Sequence, residues 1–229
     1  MLAFWAAALP FAALFGFPWT YLTKDISFLY NTCMWVAFTG VRIAGVKVRT
    51  VGLEKIDPSR AYIFMSNHIS NLDPPITLPL IPRRTSVMVK KELFKVPILG
   101  QIMRIGSLVP VDRRNRDAGI TALRDAVKAI ELGLNMTIYV EGKRSFDGKL
   151  LPFKKGPFYL AEECKVPIVP ITISGTEAVM PKARFEIYPG LVTVEFHDPI
   201  EPADFGSRDC LMAKVRAAIN SGLPPELQK

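Results

Sequence analysis

The residues best suited to chemistry lie in the segment Ser66–Pro75, which contains His68 and, five positions later, Asp73. A neutral imidazole can accept a proton from a hydroxyl group near neutral pH. A carboxylate bonded to its other nitrogen would fix the tautomer and stabilise the imidazolium that forms. An isolated pair at this spacing is more often a surface histidine beside a helix-capping aspartate. Asp73 could serve both purposes, because Pro74 suits the first position of a helix.

Two serines flank this histidine and raise the alternative of a covalent serine mechanism. They are Ser66 and Ser70, and the chain has no Gly-x-Ser-x-Gly elbow that would present either one as a nucleophile. Direct attack by a bound hydroxyl group is therefore expected. No metal site is predicted, because no nearby histidine or cysteine completes a ligand set. The three cysteines are far apart and indicate ordinary thiols without a disulfide framework.

A second segment with chemical potential runs from Lys90 to Arg114. Gly100 and Gly106 bracket an apolar stretch that could approach a ligand or a bilayer. Asp112 and Arg113 follow an apolar strand directly, and an arginine at a strand end offers a planar fork suited to a phosphate group. An ion pair between Asp112 and Arg113 on a solvated rim is an equally good interpretation.

A third segment begins after the apolar run that ends at Val140. It reads Glu141, Gly142, Lys143, Arg144 and Ser145. This places a flexible glycine beside two cations and a hydroxyl group, which suits an anionic headgroup. The alternative is a charged turn, since Asp147-Gly148 is itself a turn signal. Farther on, Pro170 lies in the proline-containing apolar run Val166–Ile171, for which a mainly structural role is predicted.

The elements that must position these residues alternate between strands and helices. Short apolar, β-branched runs predict strands; they are Val46–Val51, Ala61–Ser66, Ser86–Val89, Ser107–Val111, Met136–Val140, Ile168–Ser174 and Val192–Phe196. Helices are predicted between and after them, at Pro74–Leu80, Ile98–Arg104, Asn115–Leu132, Gly156–Glu163 and Arg208–Asn220. This order predicts an α/β fold with one mixed, mostly parallel sheet of about seven strands flanked by helices.

The first 45 residues have a different character and are expected to form a unit apart from an α/β domain over residues 46–229. Met1 to Thr23 and Ile26 to Val41 contain no charged residue. Pro10 and Pro18 are expected to bend or end the first helix. The second run has 16 residues, fewer than the roughly 20 needed to cross a bilayer. A hydrophobic two-helix hairpin embedded in one leaflet is therefore predicted, and two buried helices of a soluble protein are the alternative.

The formal charge of +8 favours polyanionic partners. Anionic lipid headgroups and phosphorylated substrates are preferred to nucleic acid. The basic residues accompany apolar hairpins and form no recognition helix or stacking motif.

Taken in order, these segments make the chain similar to the glycerolipid acyltransferases, most closely the bacterial lysophosphatidic acid acyltransferases. Asn67-His68-x-x-x-x-Asp73 resembles the first block of that family and Gly100 to Arg113 the second. Glu141 to Ser145 resembles the third block and Val166 to Ile171 the fourth. The resemblance covers about Val51 to Phe196 and extends to the apolar N-terminal pair. Lys143 departs from the family pattern, which more often has threonine, and this bears on acceptor preference.

The resemblance implies a role for each matched residue. His68 would be the general base, with Asp73 as its orienting partner. Arg113 and Arg144 would hold the acceptor phosphate, in a subsite shaped by Glu141, Gly142, Lys143 and Ser145. Gly100, Gly106 and Pro170 would belong to the acyl-donor region.

The implied reaction is transfer of a fatty acyl group from acyl-CoA or acyl-carrier protein to the sn-2 hydroxyl of lysophosphatidate. It needs no cofactor or metal, and it would take place at the cytoplasmic face of the inner membrane. The alternatives are another acceptor such as glycerol 3-phosphate or a different lysolipid, a lipid hydrolase, or a non-catalytic peripheral membrane-binding protein. Oligomeric state is not indicated.

Overall fold

A computed structural model of the chain describes residues 1–112, 116–181 and 186–228, with the backbone alone at 116 and 117. The α-helices within these ranges are α1 (Leu2–Thr23), α2 (Ser27–Ile43), α3 (Asp73–Thr77), α4 (Leu99–Ile105), α5 (Arg116–Glu131), α6 (Gly156–Cys164), α7 (Thr176–Val179) and α8 (Arg208–Ser221). The strands are β1 (Val46–Val51), β2 (Ile63–Ser66), β3 (Thr85–Lys90), β4 (Val109–Val111), β5 (Asn135–Tyr139), β6 (Ile168–Ser174) and β7 (Gly190–Phe196). Short 3₁₀ turns occur at Leu53–Lys55, Leu78–Leu80, Lys91–Lys95, Pro202–Asp204 and Pro225–Leu227.

The seven strands form one sheet in the order β1-β7-β6-β2-β5-β3-β4. Only the β6–β7 pair is antiparallel, and the other neighbouring strands run parallel. The predicted mixed, mostly parallel sheet is therefore confirmed. Strand β2 lies between β5 and β6, so the loops that follow these three strands leave the same edge of the sheet.

Helices cover both faces of the sheet, and side chains of the central strands alternate between two apolar clusters. In β2, Ile63 and Met65 pack in the cluster that contains residues of α5, α6 and α8. Phe64, between them, packs in the opposite cluster with residues of α2, α3 and α7. All three side chains are fully buried, as expected for a strand inside a largely parallel sheet.

Most of the predicted elements are present, with small shifts at their ends. Strands β1 and β6 have the predicted bounds. Helix α5 ends at Glu131, and Gly133 beyond it has a φ of 77°, the left-handed conformation that favours glycine after a helix. The predicted helix at Pro74–Leu80 consists of α3 followed by a 3₁₀ turn.

From the sequence, Pro10 and Pro18 are expected to bend or end the first helix, and the prediction that the helix ends at one of them is wrong. Helix α1 continues for 22 residues with Pro10 and Pro18 inside it. Each proline removes a single backbone N–H from the helical ladder, so the flanking turns can still hold a long apolar helix together. Within the described ranges, α1 alone is long and apolar enough to cross a membrane by length and composition. Helix α2 has 17 residues, joins α1 through residues 24–26 and packs against it.

Candidate active site

The candidate site lies at the carboxyl ends of the three central strands. His68 follows β2, Glu141 follows β5, and Thr176 follows β6. Residues from three distant parts of the sequence meet there because β2 pairs with β5 on one side and β6 on the other. Ligand sites of open α/β sheets commonly form at this edge.

The predicted contact between His68 and Asp73 is present. His68 Nδ1 lies 2.7 Å from Asp73 Oδ2, and both residues are buried. With the shared proton on Nδ1, the other ring nitrogen, Nε2, keeps its lone pair. Within the described ranges Nε2 forms no hydrogen bond, so the arrangement leaves an oriented ring nitrogen that can accept a proton.

The expected N-cap role of Asp73 is wrong. Asp73 is the first residue of α3, Leu72 occupies the cap position, and no side chain there caps the helix. The carboxylate instead turns back into the preceding loop, where Oδ2 accepts hydrogen bonds from the N–H groups of Ile69, at 2.7 Å, and Ser70, at 2.8 Å. The oxygen that contacts the imidazole therefore also fixes the shape of the loop.

The segment after β5 holds the backbone of His68 from both sides. Glu141 Oε1 accepts the His68 N–H at 3.1 Å, and the Ser145 N–H donates to the His68 carbonyl at 2.8 Å. Glu141 Oε2 accepts the N–H of Leu151 at 3.1 Å. Both oxygens of this carboxylate are thus bonded to backbone N–H groups, an arrangement that positions the histidine loop.

Glu141 is buried, and this desolvation is the main reason that its pKa is raised to about 7. The nearby Asp73 carboxylate raises the pKa further, while the N–H groups of His68 and Leu151 and the charge of Arg216 lower it. Between about pH 4.5 and 7 the folded protein therefore retains a proton on Glu141 that the unfolded chain releases.

This raised pKa predicts a change of stability with pH that Glu141→Gln should remove. Because the folded chain binds more protons between about pH 4.5 and 7, its free energy of unfolding should fall as the pH rises through that window. Across this window we expect the free energy of unfolding of the wild type to fall by up to about 3 kcal/mol relative to that of Glu141→Gln. Denaturant unfolding of both proteins in the same detergent across this range measures the difference. If the free energies of unfolding of the two proteins changed with pH in parallel, the prediction would be contradicted.

Tyr139 forms the floor beneath the imidazole. Its ring stacks on His68 with centroids 4.3 Å apart and an interplanar angle of 28°. Burial, together with the charge of Asp73, raises the pKa of Tyr139 well above its usual range. From the sequence, Tyr139 is predicted only as part of the strand Met136–Val140, with no role in the site. Its position at the last residue of β5, directly before Val140 and Glu141, was the available signal.

The hydroxyl groups of the two flanking serines donate hydrogen bonds to backbone carbonyls. Ser66 Oγ donates to the carbonyl of Asn67 at 2.9 Å, and Ser70 Oγ donates to the carbonyl of Met180 at 3.1 Å. Both serines are buried. A serine nucleophile would have to donate to the imidazole, so the serine alternative gains no support from this geometry.

The predicted phosphate-binding cations are only partly described. Lys143 is exposed and Arg144 is half-buried, in the same loop as Glu141. Gly142 begins this loop with a φ of 69°. Arg113 lies outside the described residues, so its predicted approach to the site stays a prediction.

An apolar cavity of about 370 Å³ lies beside the histidine loop, between α2 and the α/β domain. Asn71, Pro74 and Pro75 form the part of its wall that belongs to this loop and α3. Other lining residues come from α1, α2 and α4; examples are Leu9, Leu29, Cys33, Leu99, Ile102 and Met103. Its lining is largely apolar, which suits an alkyl chain.

The three residues predicted for the acyl-donor region differ in their relation to this cavity. Gly106 lines it. Gly100 lies in α4, where an added Cβ would come 2.2 Å from the Phe94 carbonyl oxygen, so glycine allows close packing there. Pro170 is buried in β6, paired with Met65 of β2, and does not line the cavity.

The chain is similar to known acyltransferases over most of its length. A model of the family described as Acyltransferase matches residues 47–174. The 1-acyl-sn-glycerol-3-phosphate acyltransferase of Limnanthes douglasii is 34% identical over 189 residues, which cover 82% of this chain and 66% of that protein. The human enzyme named 1-acyl-sn-glycerol-3-phosphate acyltransferase beta is 30% identical over 166 residues, covering 72% of this chain and 60% of the human protein. The chain thus spans less than two thirds of either relative.

A solved structure gives a fuller match. The crystal structure of the 1-acyl-sn-glycerophosphate acyltransferase from Thermotoga maritima aligns with a TM-score of 0.84 at 28% sequence identity. The alignment covers 96% of this chain and 92% of that one. The similarity therefore includes nearly all of the fold described above.

Proposed function

Because the chain belongs to the acyltransferase family, we propose that it transfers a fatty acyl group from a thioester donor to the sn-2 hydroxyl of lysophosphatidate, giving phosphatidate. One observation carries this proposal. The imidazole that Asp73 orients at 2.7 Å belongs to the loop that also borders the apolar cavity. A base and a place for an alkyl chain are therefore adjacent.

In the proposed reaction, His68 Nε2 accepts the proton of the acceptor hydroxyl while its oxygen attacks the thioester carbonyl. The resulting imidazolium is stabilised by the Asp73 carboxylate, which is bonded to Nδ1. When the tetrahedral intermediate collapses, the carbon–sulfur bond breaks and the imidazolium returns its proton to the thiolate. The products are the ester and a free thiol, and no cofactor or metal takes part.

We assign the acyl donor and the acceptor to two different regions next to His68. The acyl chain of acyl-CoA or acyl-carrier protein would enter the apolar cavity beside α2 and α4. The phosphate of the acceptor would lie toward the loop that carries Lys143 and Arg144. Arg113 is assigned to the same phosphate on the strength of the family resemblance.

We assign α1 and α2 to the bilayer surface, where the acceptor and the product both reside. Helix α1 exposes a series of large apolar side chains; they include Phe11, Leu14, Phe15, Trp19 and Leu22, each more than half exposed. Helix α2 adds exposed Phe28 and Trp35. Such a surface favours insertion into lipid over burial in a soluble protein. The inner membrane, with the domain on its cytoplasmic face, is the location that the family resemblance implies.

The proposal is tested by assay of the purified full chain in detergent with matched acyl-CoA and acyl-carrier-protein donors. The acceptors are lysophosphatidate, glycerol 3-phosphate and lysophosphatidylcholine. We expect thiol release and phosphatidate formation in equal amounts, with lysophosphatidate as the best acceptor. A preference for another acceptor would revise the substrate. Acyl-serine formation, or membrane binding without transfer from any donor, would contradict the reaction.

A further inference from the structure

The Asp73 carboxylate has a partner that lies far away in the sequence. The Thr176 hydroxyl donates to Asp73 Oδ1 at 2.8 Å, and both residues are fully buried. The other oxygen, Oδ2, meets His68 Nδ1 and the N–H groups of Ile69 and Ser70. Within the described ranges, Thr176 is the only hydrogen-bond donor to Oδ1. Without that hydroxyl, one oxygen of a buried carboxylate would lose its donor.

The turn that follows β6 places the Thr176 hydroxyl beside Asp73. Gly175 has a φ of 89°, and a Cβ there would lie 2.3 Å from the carbonyl oxygen of Leu191. Glycine thus permits a tight turn against β7, after which Thr176 begins α7 beside Asp73. At the other end of α7, the Met180 carbonyl accepts the Ser70 hydroxyl at 3.1 Å. The segment therefore holds the histidine loop at two points.

This contact and the one made by Glu141 lie on different sides of the histidine. Glu141 and Ser145, after β5, hold the backbone of His68. Thr176, after β6, holds the carboxylate that orients its side chain. A donor on Oδ1 prevents the carboxylate from turning about its Cβ–Cγ bond, so Oδ2 stays in line with Nδ1. It also draws negative charge away from the oxygen that faces the imidazole.

We infer that Thr176 is a positioning residue for acyl transfer, acting through Asp73 on the orientation and basicity of His68. This inference rests on the proposed function, in which His68 is the base. Thr176 does not contact the imidazole, and its effect passes through a carboxylate. Among the described residues, the titratable groups with a recorded contact to His68 are Asp73 and Tyr139 at its ring and Glu141 at its backbone N–H.

The chain offers a direct spectroscopic test because it contains only two histidines, His68 and His197. Each has a threonine within its hydrogen-bond network. Thr176 reaches His68 through Asp73, whereas Thr172 Oγ1 lies 2.8 Å from His197 Nε2. Thr172→Val therefore removes a buried hydroxyl from the same strand region without affecting Asp73. It is the matched control for Thr176→Val.

We expect Thr176→Val to move the ¹⁵N NMR titration midpoint of the His68 imidazole upward and to leave that of His197 in place. Thr172→Val should do the reverse, with an altered His197 and an unaltered His68. Thr176→Ser, which keeps the hydroxyl, should restore the wild-type His68 titration. If valine prevents folding, Thr176→Ala removes the same donor and should produce the same shift. An unchanged His68 titration in a folded variant without the hydroxyl would overturn the inference.

Kinetics provide the second measurement. Thr176→Val should lower kcat for acyl transfer by about tenfold, the effect of one hydrogen bond in the common range, with little change in KM. The pH at which activity is half-maximal on the acid side should move in the same direction as the His68 titration. Thr176→Ser should recover most of the rate. Normal kcat in Thr176→Val would overturn the inference even if the wild type transfers acyl groups as proposed, whereas an inactive wild type would overturn the proposed function.

Discussion

Replacement of His68 by alanine is expected to abolish acyl transfer while the protein stays folded and bound to membranes. A general base contributes about 10² to 10⁴ to a rate, and the described residues place no other imidazole beside Asp73. The fold should persist because Asp73 Oδ2 would still accept the N–H groups of Ile69 and Ser70. The carboxylate would not be left without donors.

The measurement is thiol release and phosphatidate formation by purified His68→Ala, together with its circular dichroism spectrum and its binding to vesicles. His197→Ala is the matched control. That histidine is also largely buried and bonded to a threonine, but it lies near the carboxyl end of β7 and outside the site. It should retain wild-type turnover. Residual turnover above roughly one hundredth of the wild-type rate in His68→Ala would contradict the general-base assignment.

The sequence was sufficient to predict the His68–Asp73 contact because only four residues separate the two side chains. A loop of that length can bring them together in few ways, and the contact depends little on the rest of the fold. The same local reasoning failed for the cap of α3. The carboxylate of an aspartate before a proline can accept hydrogen bonds from N–H groups of the helix that follows it or from N–H groups of the loop that precedes it. In this protein the donors converge upstream, on the loop that carries His68.

Thr176 could not be found in the same way. It lies 103 positions from Asp73, and the two meet only because β6 is the neighbour of β2 in the sheet. Alternating strands and helices predict a parallel sheet but leave the order of its strands open. A polar residue after a buried strand is a common feature, so nothing in the sequence distinguished Thr176 from other threonines. The contact is a consequence of topology.

Glu141 shows a different limit of sequence reasoning. The family resemblance assigned it to the acceptor subsite, and the structure places both of its oxygens on backbone N–H groups. A carboxylate that is followed closely by Lys143 and Arg144 in the sequence suggests a role in binding charge, whereas its burial directs it to the backbone of His68. The segments after β5 and β6 therefore share a task. They fix the backbone of the histidine on one side and its partner carboxylate on the other.

Asp73→Asn should affect both stability and activity, and this combination separates it from His68→Ala. An asparagine can present only one oxygen where Asp73 presents two. Its NH₂ group would face either the Thr176 hydroxyl or the donors of the histidine loop. Since a buried donor without an acceptor costs about 1–3 kcal/mol, we expect a loss of stability of roughly that size. Acyl transfer should fall by about 10³-fold or more, because the imidazole would lose its oriented tautomer and the charge that stabilises its protonated form.

A double-mutant comparison tests whether Asp73 acts through His68. If the carboxylate serves only to orient and stabilise the imidazole, adding Asp73→Asn to His68→Ala should cause no further loss of transfer. The stability loss of Asp73→Asn should remain in the double variant, because the asparagine NH₂ group would still face either the Thr176 hydroxyl or the N–H groups of Ile69 and Ser70. Rates come from the thioester assay and stabilities from denaturant unfolding. A further fall in rate would mean that Asp73 acts on the reaction by a route independent of His68.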